Sequence, residues 1–224
     1  MIRHVIFDLD GTLVDSCRAC MTIVEQMLAD RGVPRRLDER RARTLISRGG
    51  KPLVRGLMGD ACLDADADLA EFRRRYAHSR TPETDLYPQV RQGLEQLVQA
   101  GLSLAICTNK PQNLCDAVLR DTGIAPLFDC VVGGREGLRA KPEPDLLGLA
   151  LDRLGASASQ CLFVGDSEVD HEVAHALAMP FLFAAWGYAQ EGWDPHPSPR
   201  FATFGDVTRA IIALLEPEEA RRYG

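Results

Sequence analysis

Short apolar runs alternate with amphipathic segments along the chain. Four of the runs end in polar or charged residues, at 4–10, 102–109, 161–166 and 180–186. Each has the length of a fully buried β-strand, and a weaker run at 128–132 predicts a further strand. The intervening segments have helical spacing, as in 90–98, where apolar residues recur at i, i+4, i+7 and i+8. This alternation predicts an α/β fold, a Rossmann-like, doubly wound and mostly parallel sheet with helices on both faces.

Residues 16–84 have a different pattern, because they contain helix-like stretches and no convincing strand. The block follows the first predicted strand and precedes the next helix of the core. We therefore predict an inserted all-helical cap domain at 16–84 and a discontinuous catalytic core at 1–15 and 85–224. The hinges are expected near Asp15 and Ser16 and around 82–88.

Two segments near the C-terminus lack a strand or helix pattern. The proline-rich segment 189–200 predicts a loop. The last residues, 216–224, are mostly polar and charged and predict a polar tail.

Composition narrows the class of protein. A net charge of −6 argues against non-specific nucleic-acid binding, which uses broad basic surfaces. No run approaches the ~18 apolar residues of a membrane span, and the N-terminus meets an acidic residue before a signal-type stretch can develop. The seven cysteines are an odd number, so free thiols in a reducing, cytoplasmic compartment are expected. Helical spacing accounts for the lone C-x-x-C at Cys17 and Cys20.

Polar residues follow the predicted strands at the points where the strands end. They are Asp8 and Asp10, Thr108 and Asn109, Lys141 before a helix, and Asp166 with Asp170. In a parallel sheet the carboxyl ends of the strands line one crevice, so these side chains can converge. Four carboxylates, a hydroxyl, an amide and an ammonium suit Mg²⁺ together with a phosphate group.

At these residues the sequence resembles the haloacid dehalogenase superfamily of phosphotransferases. The resemblance rests on four motifs in order: D-x-D-G-T at 8–12, Thr108, Lys141, and G-D-x-x-x-D at 165–170. Within the superfamily, the stretches "FDLDGTLVDS", "TNKP" and "AWGY" look most like phosphoglycolate phosphatases. The resemblance implies a phosphatase acting on a small phosphorylated metabolite.

The resemblance and the chemistry together suggest a role for each motif residue. Asp8 is expected to be the nucleophile that forms an aspartyl-phosphate. Asp10 is expected to protonate the leaving alkoxide and then to deprotonate the hydrolytic water. Gly11 permits a tight turn whose amides face phosphate oxygens. Thr108 and Lys141 are expected to bind the transferring phosphoryl group, and Lys141 also offsets the charge of Asp8.

The same resemblance implies a Mg²⁺ site. Its expected ligands are Asp8, Asp166 and the backbone carbonyl of Asp10, with Asp170 as a further ligand or a supporting carboxylate. Asn109 is expected to orient the nucleophile or the phosphate.

Asp10 separates the branches of the superfamily. Dehalogenases and phosphonatases of this type lack the second aspartate, so its presence argues against both chemistries. A phosphomutase keeps both aspartates and stays open as an alternative. A non-catalytic phosphate binder on the same fold is a second alternative, although it has no need of both carboxylates.

The loop "ISRGGKP" at 46–52 carries two cations, Arg48 and Lys51, beside two glycines. In this family such a loop can close over the active site and contact the leaving group. Either cation could pair with the carboxylate of an acidic substrate such as phosphoglycolate. A helix–helix linker with solvated charges explains the same residues, and both interpretations stay open. The size of the cap favours small-molecule substrates.

Residues 171–175 spell H-E-x-x-H, the helix signature of zinc metalloproteases. The apolar face of this helix is expected to contain Val169, Val173 and Leu177, so the histidines should point away from the core, to solvent. We interpret the match as a coincidence. Phosphatases of this kind often end the helix with glycine before Met-Pro, whereas this chain has Ala178.

Overall fold

The computed structural model describes residues 1–215, and the side chains of residues 47 and 48 lie outside the description. Six strands form one parallel sheet in the order β3-β2-β1-β4-β5-β6. The strands are β1 His4–Phe7, β2 Ser103–Pro111, β3 Cys130–Gly134, β4 Cys161–Gly165, β5 Phe181–Ala184 and β6 Arg200–Phe201.

The helices fall into two groups. Four of them follow β1 and form what we call the four-helix segment: α1 Cys17–Asp30, α2 Glu39–Arg48, α3 Gly50–Met58 and α4 Ala65–His78. The others alternate with the strands or follow them: α5 Val90–Gln99, α6 Gln112–Asp121, α7 Asp145–Leu154, α8 Glu168–Ala176 and α9 Phe204–Ala213. Within residues 1–215, no helix combines the length and apolarity that crossing a bilayer requires.

Alternating side chains of the central strand β1 enter two different cores. Ile6 joins the cluster that contains residues of α7 and α8, whereas Val5 and Phe7 join the cluster that contains residues of α5, α6 and α9. All three side chains are fully buried. Burying each is worth roughly 1.5–3 kcal/mol, which explains why the run is apolar at every position rather than at alternate ones. The predicted doubly wound α/β fold is confirmed.

The edge strand β6 is the main difference from the expected strands. Arg200 begins it, at the end of the segment that was expected to be a loop, and it pairs with Phe183 in β5. Because the strand has only two residues, Arg200–Phe201, it carries no periodic signal of its own. Pairing with β5 at the edge of the sheet, rather than the local sequence, therefore determines β6. The expected polar tail at 216–224 lies outside the described residues.

The chain enters and leaves the four-helix segment at adjacent points. The Asp15 amide donates to the Asp85 carbonyl at 2.8 Å, and the Tyr87 amide donates to the Leu13 carbonyl at 3.0 Å. The two crossings lie where the sequence predicted hinges. The helices pack into the same apolar cluster as one face of the sheet, through residues such as Val24 and Val54.

Ala178 ends α8 in a conformation that costs free energy. Its φ is +50°. The Ala178 amide donates to the His175 carbonyl and the Met179 amide donates to the Ala174 carbonyl, which is the hydrogen-bond pattern of a Schellman motif. A Cβ at this φ costs about 1–2 kcal/mol, although a glycine also loses more entropy on folding. We expect Ala178→Gly to stabilise the fold by about 0.5–1 kcal/mol and to raise Tm by about 1–3 °C in thermal unfolding.

Ala176 provides a matched control for this prediction, because it is an exposed alanine in the last turn of the same helix. Ala176→Gly should lower the free energy of unfolding by up to about 1 kcal/mol. Equal destabilisation by the two substitutions would contradict the argument from φ.

Candidate active site

The predicted residues at the strand ends converge at one edge of the sheet. Asp8 follows β1, Thr108 lies near the end of β2, and Asp166 follows β4. Because β1 pairs with β2 on one side and β4 on the other, the crevice lies where the strand order reverses. This is the place where open α/β sheets bind their ligands.

Lys141 connects the two sides of this crevice. Its Nζ lies 2.9 Å from Asp8 Oδ1 and donates to Asp170 Oδ1 and to the Cys107 carbonyl. Its side chain is 1% exposed. Burial alone would lower its pKa, but Asp170 and then Asp8 raise it above the usual value. The ammonium therefore stays charged beside the predicted nucleophile.

Asn109 holds the backbone of Lys141. Its Oδ1 accepts from the Lys141 amide at 2.7 Å, and its Nδ2 donates to the Lys141 carbonyl at 3.0 Å. Both ends of the side-chain amide are therefore used to position the Lys141 loop. A direct contact of Asn109 with a phosphate stays a prediction.

Three buried carboxylates face each other in the crevice. One oxygen from each of Asp8, Asp166 and Asp170 lies within 4.8 Å of the others. Thr12 Oγ1 donates to Asp166 Oδ1 at 2.8 Å, and the Tyr188 amide donates to Asp166 Oδ2 at 2.7 Å. These bonds fix the Asp166 carboxylate at the end of β4.

Asp170 is fixed by the start of its own helix. The Ser167 hydroxyl donates to Asp170 Oδ2 at 2.6 Å, and the Ser167 amide donates to the same atom at 3.2 Å. Together the two residues form a capping box at the N-terminus of α8. Ser167 was not among the predicted site residues, although a serine three residues before an acidic residue is a known signature of a helix start.

The crowding of carboxylates changes their acidity. Burial raises the pKa of Asp8 to about 6, against the lowering effect of Lys141. Burial, and then the charges of Asp170 and Asp8, raise the pKa of Asp166 well above its usual value. The Lys141 ammonium pairs with only two of the three carboxylates, Asp8 and Asp170, so the site has an excess of negative charge that a cation would offset.

Gly11 lies in the tight turn that was expected, but its own amide is not free. Its φ is +93°, and a Cβ there would lie 2.2 Å from Asp166 Oδ2. Its amide donates to the Val14 carbonyl at 2.9 Å, so this amide does not face the crevice as a free phosphate donor. The expectation is therefore corrected for the Gly11 amide, whereas phosphate binding by the other amides of the turn stays a prediction. The glycine is required because the turn passes directly over Asp166.

Lys110 is a site residue that the sequence analysis missed. Its Nζ lies 3.0 and 3.1 Å from the two oxygens of Asp10, and its side chain is 7% exposed. Burial would lower its pKa, but Asp10 raises it above the usual value. A lysine directly after the polar end of β2, in "TNKP", is the signal that could have identified it.

A cavity of about 80 Å³ separates the crevice from the four-helix segment. Its floor is formed by Asp8, Asp10, Thr108, Asn109, Lys110 and Lys141. Its other walls include Leu53, Leu69, Phe72 and Tyr76, together with Gly49, which joins α2 to α3, and Gly50, which begins α3. The volume corresponds to about six water-sized spheres, which is room for a small molecule.

The predictions for the two loop cations, Arg48 and Lys51, have different outcomes. Lys51 pairs with Asp66 in α4 at 2.6 Å, is half-exposed and does not line the cavity. The side chain of Arg48 lies outside the described residues, although its neighbours Gly49 and Gly50 border the cavity. A role for either cation in substrate binding stays a prediction.

The H-E-x-x-H histidines lie away from the carboxylate cluster. His171 packs edge-on against Phe181 and Trp193 and stacks with His175. The expectation that both histidines point to solvent is wrong for His171, which is half-buried, because the loop after β5 folds back over it. In the part of the chain that the structure describes, neither histidine joins a group of potential metal ligands.

Comparison with known proteins identifies the family. The family model described as haloacid dehalogenase-like hydrolase matches residues 5–184, which include both Asp8 and Asp166. The chain belongs to this family. The four motifs in the sequence are therefore correctly attributed to the haloacid dehalogenase superfamily.

Relatives of this chain include proteins named phosphoglycolate phosphatase. A phosphoglycolate phosphatase of Xanthomonas campestris is 37% identical over 196 residues, covering 86% of this chain and 87% of the relative. One from Yersinia pseudotuberculosis is 36% identical over 226 residues and covers 97% of both chains. A crystal structure of a predicted phosphoglycolate phosphatase from Haemophilus somnus has a TM-score of 0.77 and 28% identity, and covers 94% of this chain and 98% of that one. The expected enzyme class, a phosphatase of this superfamily, is confirmed.

Proposed function

We propose that the protein is a Mg²⁺-dependent phosphatase that hydrolyses a small, phosphoglycolate-like phosphate monoester through an aspartyl-phosphate. The observation that carries the proposal is the position of Asp8. Its carboxylate lies 2.9 Å from the Lys141 ammonium, at the floor of a cavity large enough for a small phosphate ester. The names of the relatives support the substrate class.

In the first half-reaction Asp8 attacks phosphorus, and the phosphorus–oxygen bond to the leaving group breaks. Lys141 offsets the charge of the phosphoryl oxygens, and Thr108 supplies a hydroxyl at the cavity wall. Asp10 gives its proton to the leaving oxygen. In the second half-reaction Asp10 takes a proton from water, which attacks the aspartyl-phosphate and regenerates the Asp8 carboxylate.

The residues present fit a hard divalent cation. Asp8, Asp166 and Asp170 offer only oxygen atoms, all three are buried, and Lys141 alone does not balance their charge. Mg²⁺ is held by such oxygen ligands, with Asp8, Asp166 and the Asp10 carbonyl as its proposed ligands and Asp170 as a further or supporting one. When bound, it supplies positive charge to the phosphoryl oxygens and to the Asp8 carboxylate.

We further propose that residues 16–84 act as a cap domain on a core formed by 1–15 and 85–224. The paired backbone crossings at Asp15–Asp85 and Leu13–Tyr87 offer a narrow connection between the two units. The small cavity volume supports a small phosphorylated metabolite as the substrate, because a phosphoprotein could enter only after the helices had moved away.

Removal of the metal tests the proposal. We expect hydrolysis of an aryl phosphate to be lost in EDTA and restored by Mg²⁺, because an all-oxygen site suits this ion. Zn²⁺ should restore it poorly. The measurement is phenolate release before and after dialysis against the chelator. Full activity of the metal-stripped protein would contradict the proposal.

The H-E-x-x-H segment provides the control for the identity of the metal. The double variant His171→Ala, His175→Ala should retain turnover and its Mg²⁺ dependence, since neither ring belongs to the carboxylate cluster. Because His171 packs against Trp193, circular dichroism must first establish that the variant is folded. Loss of turnover in a folded variant would favour the zinc alternative.

A further inference from the structure

Lys110 is buried beside the predicted acid–base residue rather than beside the nucleophile. It contacts both oxygens of Asp10, and its Nζ lies 4.0 Å from the centroid of the Tyr76 ring in α4. Burial of an ammonium is unfavourable unless it is paired, so this position requires Asp10 or another anion as a partner. Lys110 therefore lies between the proposed acid–base residue Asp10 and the four-helix segment.

The other cations of the cavity are differently placed. Lys141 is occupied by Asp8 and Asp170, on the side of the phosphoryl group. Arg73 lines the cavity but is exposed to solvent. Among the lining cations whose side chains are described, Lys110 alone is buried and adjacent to Asp10, and hence to the oxygen that Asp10 protonates.

The walls on this side of the cavity are mostly apolar. Leu53, Leu69 and Phe72 contribute them, and each is at most 9% exposed. A carboxylate on the leaving group would lose its hydration against these walls. It would need a buried cation to compensate, and a desolvated ion pair there would be strong because little water screens it.

We propose that Lys110 binds the carboxylate of an acidic leaving group, exchanging its contact with Asp10 for a contact with the substrate. The inference rests on the proposed function and specifies its substrate class, short alkyl phosphates that carry a carboxylate. The exchange also frees the Asp10 carboxyl to turn toward the leaving oxygen. When the leaving group is neutral, Lys110 keeps its contact with Asp10. Lys110 therefore favours an acidic substrate and discriminates against a neutral one.

Two phosphonates of equal length test the inference without turnover. 3-Phosphonopropionate carries a carboxylate where propylphosphonate carries a methyl group, and neither can be hydrolysed. Calorimetry with Mg²⁺ present should show that the wild-type protein binds the acidic compound about 100-fold more tightly. In Lys110→Met the preference should fall to about threefold or less. In Lys110→Arg, which keeps the charge, at least about tenfold should remain.

The control variants distinguish an effect of the Lys110 charge from an effect of removing any positive charge from the protein. Arg209→Met removes an exposed cation of α9 that pairs with Asp206 and should keep the full preference. Thermal unfolding of every variant identifies any that are not folded. If Lys110→Met does not fold, Lys110→Gln, which is polar and of similar length, takes its place.

Preference for the acidic compound that survives in folded Lys110→Met or Lys110→Gln would overturn the inference. So would loss of the preference in Arg73→Met, Arg48→Met or Lys51→Met while Lys110→Met retains it. The proposed function fails separately, if the wild-type protein with Mg²⁺ releases no phenolate from an aryl phosphate.

Discussion

Asp8→Asn is expected to abolish hydrolysis of alkyl and aryl phosphates alike, with a loss of at least about 10⁴-fold. The substitution keeps the shape of the side chain but removes the nucleophilic oxygen, so no aspartyl-phosphate can form. The quality of the leaving group does not matter, because the first bond to phosphorus is never made. The measurement is phosphate release, together with acid-quench trapping of labelled phosphoenzyme, which should be absent.

The same substitution should not unfold the protein. Asp8 is one of three buried carboxylates that face each other, and burial already raises its pKa to about 6. Removing one charge reduces the repulsion among them, so without metal the variant should be at least as stable as the wild type. Thermal unfolding in EDTA checks this. Trapped phosphoenzyme in folded Asp8→Asn would contradict the assignment of the nucleophile.

Asp10→Asn should separate the two half-reactions instead of abolishing both. An alkyl leaving group would depart without a proton, and water would attack the aspartyl-phosphate without a base. General acid–base catalysis is worth about 10²–10⁴-fold, so an alkyl phosphate should lose at least that factor. An activated aryl phosphate needs no acid to leave. Rapid-mixing measurements should therefore show a burst of phenolate, stoichiometric with enzyme, followed by very slow turnover.

The Asp10→Asn substitution also affects Lys110, and this second effect can be measured separately. In Asp10→Asn the ammonium loses its carboxylate partner, which lies 3.0 Å away in the wild type. The double variant Asp10→Asn, Lys110→Met removes both charges and should show the same burst if the effect belongs to Asp10. Normal turnover of alkyl phosphates by Asp10→Asn, or a burst from Asp8→Asn, would contradict the assignment of the two roles.

The sequence predicted those parts of the molecule where apolar length and position decide the structure. The five longer strands form where buried runs occur, because a strand covered on both faces must be apolar throughout. The convergence of Asp8, Thr108 and Asp166 followed from the parallel arrangement, since residues that end neighbouring strands meet at one edge. The position of the crevice was therefore predictable without any contact being known.

The remaining features depend on distances across the fold. The bond from Thr12 to Asp166 spans 154 positions, and the contact of Lys110 with Asp10 spans 100. Gly11 is required because a Cβ there would lie 2.2 Å from Asp166 Oδ2, which is far away along the sequence. The burial of His171 depends on Trp193, from a loop with no periodic pattern. None of these contacts can be predicted from the spacing of residues in the local sequence.

The central place of β1 has a consequence for the order in which the molecule can form during synthesis. His4–Phe7 leaves the ribosome well before its two partners, Ser103–Ile106 and Cys161–Val164. Until both have emerged, this apolar strand has at least one unpaired edge and is open to wrong associations. The four-helix segment is made mostly of local contacts and can begin to fold in the meantime. The proposed nucleophile, one residue beyond β1, is thus translated before the strands that complete its site.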